Sequence, residues 1–106
     1  MTPFEQGTCE ATAAMHRAMA AVALTGDPDR DFLALMIPHH EGAVEMARLA
    51  LLHARDPLVR RLAEEILASQ QAEIVSMKGR LAALARGPEP DPGGFPALGG
   101  TRGPAR

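Results

Sequence analysis

Residues 36–47 read MIPHHEGAVEMA. Two adjacent histidines follow a proline, with methionines on either side, inside an otherwise helical pattern. Imidazole and thioether are the side chains that bind soft and borderline metals, copper(I) above all. The stretch belongs to a segment running from about Pro28 to Ala54 that carries apolar residues at spacings of three and four: Phe32, Leu35, Met36, Ala43, Met46, Leu49 and Ala50. That period is helical. Pro38 interrupts it, and a proline inside a helix removes a donor and clashes with the carbonyl four residues earlier, at about 3 kcal/mol. The helix is therefore expected to kink or to restart at Pro38, freeing backbone groups beside His39 and His40.

Working outward, the same punctuation repeats. An alanine-rich segment from about Phe4 to Leu24 stops at Thr25-Gly26, and Asp27-Pro28 supplies an N-cap and a first-turn proline for the second segment. Asp56-Pro57 starts a third, which runs to about Ala85 before Gly87-Pro88 ends it. No strand-like alternation is present. The expected fold is all-α: a short antiparallel three-helix bundle with tight loops, of the four-helix-bundle or ferritin-like kind.

Residues 1–86 form the expected helical domain. The remainder, 87–106, is rich in glycine and proline, lacks a hydrophobic period, and reads as a flexible tail. About 85 residues bury only a modest core, so oligomerisation or a bound metal would matter for stability. A partly apolar outer face leaves room for a homodimer that completes a larger bundle.

Composition removes several classes. The net charge is −2 with mixed signs, and tryptophan and tyrosine are absent. Neither stacking platforms nor phosphate-tracking stripes are available, which argues against nucleic acid. No apolar run is long enough to span a membrane. The start MTPFEQGTCE lacks the basic and apolar regions of an export signal. Cys9 is the single cysteine and cannot form an intrachain disulfide.

Antiparallel helices on short loops place residues opposite one another by reflection about the loop. Reflection near Arg55-Asp56 puts His39 and His40 opposite residues 71–72, within a turn of Gln70, Glu73 and Met77. Reflection about Gly26 puts Met36 opposite residue 16, within the run Met15-His16-Arg17-Ala18-Met19. Three segments would then send Met36, His39, His40, Met15, His16, Met19 and Met77 to one height, with Glu73 and Gln70 as supports. Glu73 would hold the tautomer of a ligating imidazole. Met46 and His53 fall elsewhere, and His53 is expected to face the dipole at its helix end. Methionines at helical spacing are commonly core filler, and a histidine on a buried face is commonly a satisfied core residue. A buried His/Gln/Glu network without metal, in a structural or oligomeric module, is therefore the alternative.

Catalytic patterns do not fit. The run HEGAV has Val44 where the zinc-protease helix needs histidine. No glutamate lies three before any histidine, as di-iron bundles require. One cysteine rules out a zinc finger. The expectation is a binder of copper(I) or silver(I) and not an enzyme; a ferritin-like enzyme using another metal or haem is a third class, marked by colour or turnover.

MIPHHEGAVEMA, preceded by TGDPDRDF at 25–32, resembles the signature of the bacterial domain-of-unknown-function family three hundred and five. The downstream spacing of Leu62-Ala63, Ile66, Gln70, Glu73-Ile74 and Met77 is similar to it, and the resemblance covers about residues 15 to 85. It implies a ferritin-like helical bundle, and for some members a periplasmic or secreted copper-binding role linked to copper resistance. It further implies that Met36, His39, His40, Met46 and Met77 occupy motif positions. The Met15-His16-Met19 run is similar to the Met/His-rich first helix of such members. The absent export signal and the modest methionine content depart from that pattern.

Overall fold

The computed structural model of the chain describes residues 1–87 and contains three helices: α1 (Pro3–Ala20), α2 (Pro28–His53) and α3 (Pro57–Ala85). No strand occurs among the described residues. The all-α antiparallel arrangement expected from the sequence is the one found. The tail expected over 87–106 lies, from residue 88 onward, outside the described residues.

Each helix starts where its capping chemistry says it should. Thr2 and Glu5 form a reciprocal capping box at α1, with the Glu5 amide donating to the Thr2 hydroxyl at 3.1 Å. Asp27 and Asp56 cap α2 and α3, each followed by a proline at the first helical position. At its other end α2 is finished by Arg60, whose guanidinium donates to the carbonyls of Leu51 (2.6 Å) and Ala54 (3.2 Å). Those carbonyls have no helical partners of their own.

Two boundaries differ from the sequence reading. Helix α1 ends at Ala20, not at Leu24. The chain from Val22 is drawn into a lock around Asp31. Its carboxylate accepts from the Thr25 amide (2.8 Å), the Thr25 hydroxyl (2.9 Å) and the Gly26 amide (2.9 Å). Gly26 adopts φ +91°, a conformation that L side chains rarely enter. Helix α2, in contrast, runs unbroken through Pro38, so it does not restart there. Packing on both sides of α2 holds the helix together across the missing donor.

The Asp31 lock carries a pH signature. The Thr25 amide bond, foremost, and then the Thr25 hydroxyl and Gly26 amide hold the Asp31 carboxyl below its ordinary value, helped by Arg30. A carboxyl lowered on folding adds stability that is fully present above the unfolded carboxylate range, near pH 4, and is lost as pH falls further. Asp31→Asn should therefore lower the melting temperature by a few degrees at pH 7. The gap between the two proteins should shrink toward zero in melts at pH 3; a gap that is the same at both pH values would show that the charge is not what matters.

Helix α2 is the centre of the molecule. Both α1 and α3 pack on it, and they do not pack on each other. The α2–α3 seam uses Leu33, Ile37, His40, Val44, Ala47 and Leu51 on one side, at alternating steps of four and three. Facing them are Ala63, Leu67, Gln70, Ile74, Met77 and Leu81, with the same alternation, which is the coiled-coil period. Among the described residues, only Ile37, Val44, Ala47 and Ala63 are buried apolar side chains. The expected apolar stripe through Phe32, Met36, Ala43 and Met46 is thus a different face of α2, rotated away from this seam.

Helix α1 approaches on the far side. A β-carbon at Gly42 would lie 2.6 Å from the Met15 sulfur, and one at Gly7 would lie 2.9 Å from a Leu49 methyl. At about 100° per residue, Gly42 and Leu49 lie roughly 180° around α2 from His40, Val44 and Ala47. The three helices therefore lie side by side as a slab 17 Å thick, with extents of 53 and 31 Å in its plane.

Candidate metal centre

The seam sets the register of the candidate site. Nε2 of His40 lies 2.5 Å from Oε1 of Glu73, which brings the middle of α2 against the middle of α3. Continuing four residues along each helix in opposite directions puts Met36 level with Met77, about 6 Å further along the axis. His39 is the neighbour of His40 on the exposed side, with ring centroids 6.1 Å apart. A metal–nitrogen bond is about 2.0 Å, which puts a ligated imidazole centroid about 3.2 Å from its ion. Two rings sharing one ion can then have centroids up to about 6.4 Å apart, so this pair is within reach.

His40 is the informative side chain. It is 15% exposed against 57% for Glu73, so the pair straddles the edge of the seam. In the neutral tautomer that donates Nε2–H to the Glu73 carboxylate, Nδ1 carries a lone pair. That atom is buried and has no hydrogen-bond partner. A buried acceptor without a donor costs about 1–3 kcal/mol, and it is the form of imidazole nitrogen that a metal takes. The partner that holds the other nitrogen is the usual device for presenting a ligating histidine. Gln70 lies half-buried on the same seam one turn from Glu73.

The remaining expected residues divide. Met15 packs on Gly42 and lines a groove with Ala11, Pro38 and Glu41, on the α1 side of α2. The Gly7–Leu49 and Met15–Gly42 approaches place Met19 level with about residue 38 and Met36 level with about residue 21, one turn from the register expected from a tight loop at Gly26. The early end of α1 and the long link to Asp27 account for that shift. His16 is exposed, while Met19 is half-buried. Met46 lines an apolar groove with Leu62 and Ile66, about 9 Å along α2 from His40. The expected single height thus becomes two sets, Met36, His40, Glu73 and Met77 along the α2–α3 seam and Met15, His16 and Met19 on α1, with His39 on the exposed face of α2 between them.

No group of three or more His, Cys, Asp or Glu side chains among the described residues is placed to hold a metal ion. A centre at this seam would have to add thioethers to the imidazoles. His53 makes an edge contact with Phe4 of α1, with ring centroids 6.0 Å apart, and so helps hold the start of α1 to the end of α2. Its position in the last turn of α2 is the one expected. The lock at Asp31, the Arg60 cap and the Gly42 approach were not foreseen. Of these, only Gly42 had a clear signal, an isolated glycine within a helical pattern.

The family described as a domain of unknown function, DUF305, has a model that matches residues 2–81. The chain belongs to DUF305. The match takes in all of α1 and α2 and most of α3, so both Met/His sets of this DUF305 chain fall within it. An uncharacterized protein of Acanthamoeba polyphaga mimivirus is 40% identical over 53 residues, half of this chain and 35% of the relative. The aligned segment thus spans about a third of that relative's length. Neither description carries an activity.

Proposed function

We propose that this DUF305 protein binds copper(I), or the similarly soft silver(I), at the α2–α3 seam and acts as a buffer, carrier or resistance factor. The carrying observation is His40, with one ring nitrogen held by Glu73 and the other buried and unpaired. Met36 and Met77 stand one turn away, and His39 is within sharing distance. Together they offer two thioethers and two imidazoles, a neutral set suited to a monovalent soft cation. The metal is cargo, so binding and release are the whole chemistry, and the protein is not an enzyme. A periplasmic or extracytoplasmic setting rests on the family resemblance; no helix among the described residues is long and apolar enough to cross a membrane.

A second reading has its own support. His40, Glu73 and Gln70 interrupt an otherwise apolar seam, as a polar layer that fixes helix register would. Anaerobic titration of copper(I) against a colorimetric chelator separates the two. The wild-type chain should compete for the metal, and the His39→Ala/His40→Ala double variant should bind at least tenfold more weakly. Equal competition by both proteins would remove the histidines from the site, and no competition by either would leave the polar layer as the role of this pair.

A further inference from the structure

The two broad faces of the slab differ in chemistry. One carries Glu41, Arg48 and Lys78, with Lys78 and Glu41 paired at 3.2 Å. The other carries Phe32, His39 and Met46 along α2, beside Leu62 and Ile66 of α3. Phe32 is 61% exposed, Leu62 56% and Ile66 44%. A domain needs two packed layers around a core, and the described residues supply one layer with four buried apolar side chains. A layer that covers this face in every molecule needs a source present at the same concentration as the chain. A second copy meets that condition.

The apolar face is also self-complementary. Met46, Ala50, Leu62 and Ile66 line a groove of about 340 Å³ between α2 and α3, and Phe32 projects from the same face of α2 fourteen residues earlier. His39 is midway between Phe32 and Met46 in sequence, at the same angle around the helix. A two-fold axis lying in the interface and crossing α2 at His39 therefore brings the Phe32 of each copy over the groove of the other. The same operation sets the two His39 side chains against each other. Large side chains at these exposures present on the order of 100 Å² each, and with the alanines between them they come to roughly 500–600 Å² per partner, which clears the total of about 1,000 Å² that a specific interface needs.

We propose that two copies of this chain pack through this face as an isologous dimer, with Phe32 in the partner's groove, and that His39 of both copies completes a shared soft-metal centre at the axis. The dimer stands on the packing alone; the shared centre rests on the metal-binding reading above.

The test uses the full chain. Equilibrium sedimentation at micromolar concentration should give twice the 11.2 kDa chain mass, and a monomer would overturn the proposal. Phe32→Asp should weaken the dimer at least tenfold. Should that variant fail to fold, cross-linking locates the face independently. In a Cys9→Ser background, His39→Cys should link into dimers with a short bis-maleimide. Val75→Cys, at a site 73% exposed elsewhere on α3, should not. Linking at 75 but not at 39 would place the interface elsewhere and overturn the proposal. Copper(I) should tighten the wild-type dimer at least tenfold, by linkage, and His39→Ala should abolish that tightening. A dimer linked through residue 39 that copper(I) leaves unchanged would retain the interface and overturn the shared centre.

Discussion

Gly42→Val should lower the melting temperature by roughly 2–20 °C. The reason is the approach of α1. A β-carbon at residue 42 would lie 2.6 Å from the Met15 sulfur, 2.9 Å from its γ-carbon and 3.0 Å from its β-carbon. A flexible side-chain end can swing aside, but the Met15 β-carbon moves only with the backbone of α1. Overpacking of this kind costs about 1–3 kcal/mol, and a branched side chain in a helix has few rotamers with which to escape. Valine recovers part of glycine's helix penalty, roughly half a kcal/mol, which leaves a net loss of about 0.5–2.5 kcal/mol. For a domain of this size each kcal/mol shifts the midpoint by about 4–8 °C. Gly42→Ala should do far less, since its gain of about 1 kcal/mol in helix propensity offsets most of the strain. Thermal melts of the two variants beside wild type check this. A valine variant as stable as the alanine one would mean that α1 does not press on α2 at this point. Helix α1 buries no residue of its own, so this contact, the one at Gly7 and the Phe4–His53 ring contact seat it.

The sequence made the three helices and their starts legible because caps and first-turn prolines act locally. Asp27-Pro28 and Asp56-Pro57 need nothing from the rest of the chain to start a helix. The α2–α3 register was legible for a related reason: Ala54 to Asp56 is a short link, and reflection about a short link leaves little freedom. His40 and Glu73 meet where that reflection placed them. The α1–α2 register shifted by a turn because Asp31, six residues downstream, holds the Thr25 and Gly26 amides and ends α1 early. No local propensity encodes such a bond. The face of α2 was misplaced for a third reason. A helix packed on two sides is apolar on more than one stripe, and the stripe through Phe32 and Met46 was read as the core. Its own chain leaves Phe32 exposed, while Ile37, Val44 and Ala47 do the packing. Periodicity shows that a face is apolar; it does not show which molecule covers it.

Met36→Leu and Met77→Leu should each weaken copper(I) binding about tenfold, while Met15→Leu should leave it within about twofold. Leucine nearly conserves the volume of methionine, and such swaps cost less than about 1.5 kcal/mol in a core. All three variants should therefore melt within several degrees of wild type, so affinity reads the thioether and not the fold. The expected split follows from the register. Met36 and Met77 are level with each other and one turn from the unpaired Nδ1 of His40, whereas Met15 lies across α2 against Gly42. A tenfold loss is about 1.4 kcal/mol, modest for one soft ligand among four, because the remaining donors and water can partly fill its place. The decisive measurement is chelator competition with the three variants in parallel. Loss with Met15→Leu and not with Met36→Leu would move the centre to the α1–α2 groove, where Glu41 and Glu45 stand beside Pro38. That groove offers carboxylates, which suit harder cations, so the same shift should appear as a weaker preference for copper(I) over zinc. The thioether pattern and the metal preference thus have to agree, and the seam predicts thioether dependence at residues 36 and 77 together with selectivity for the soft ion.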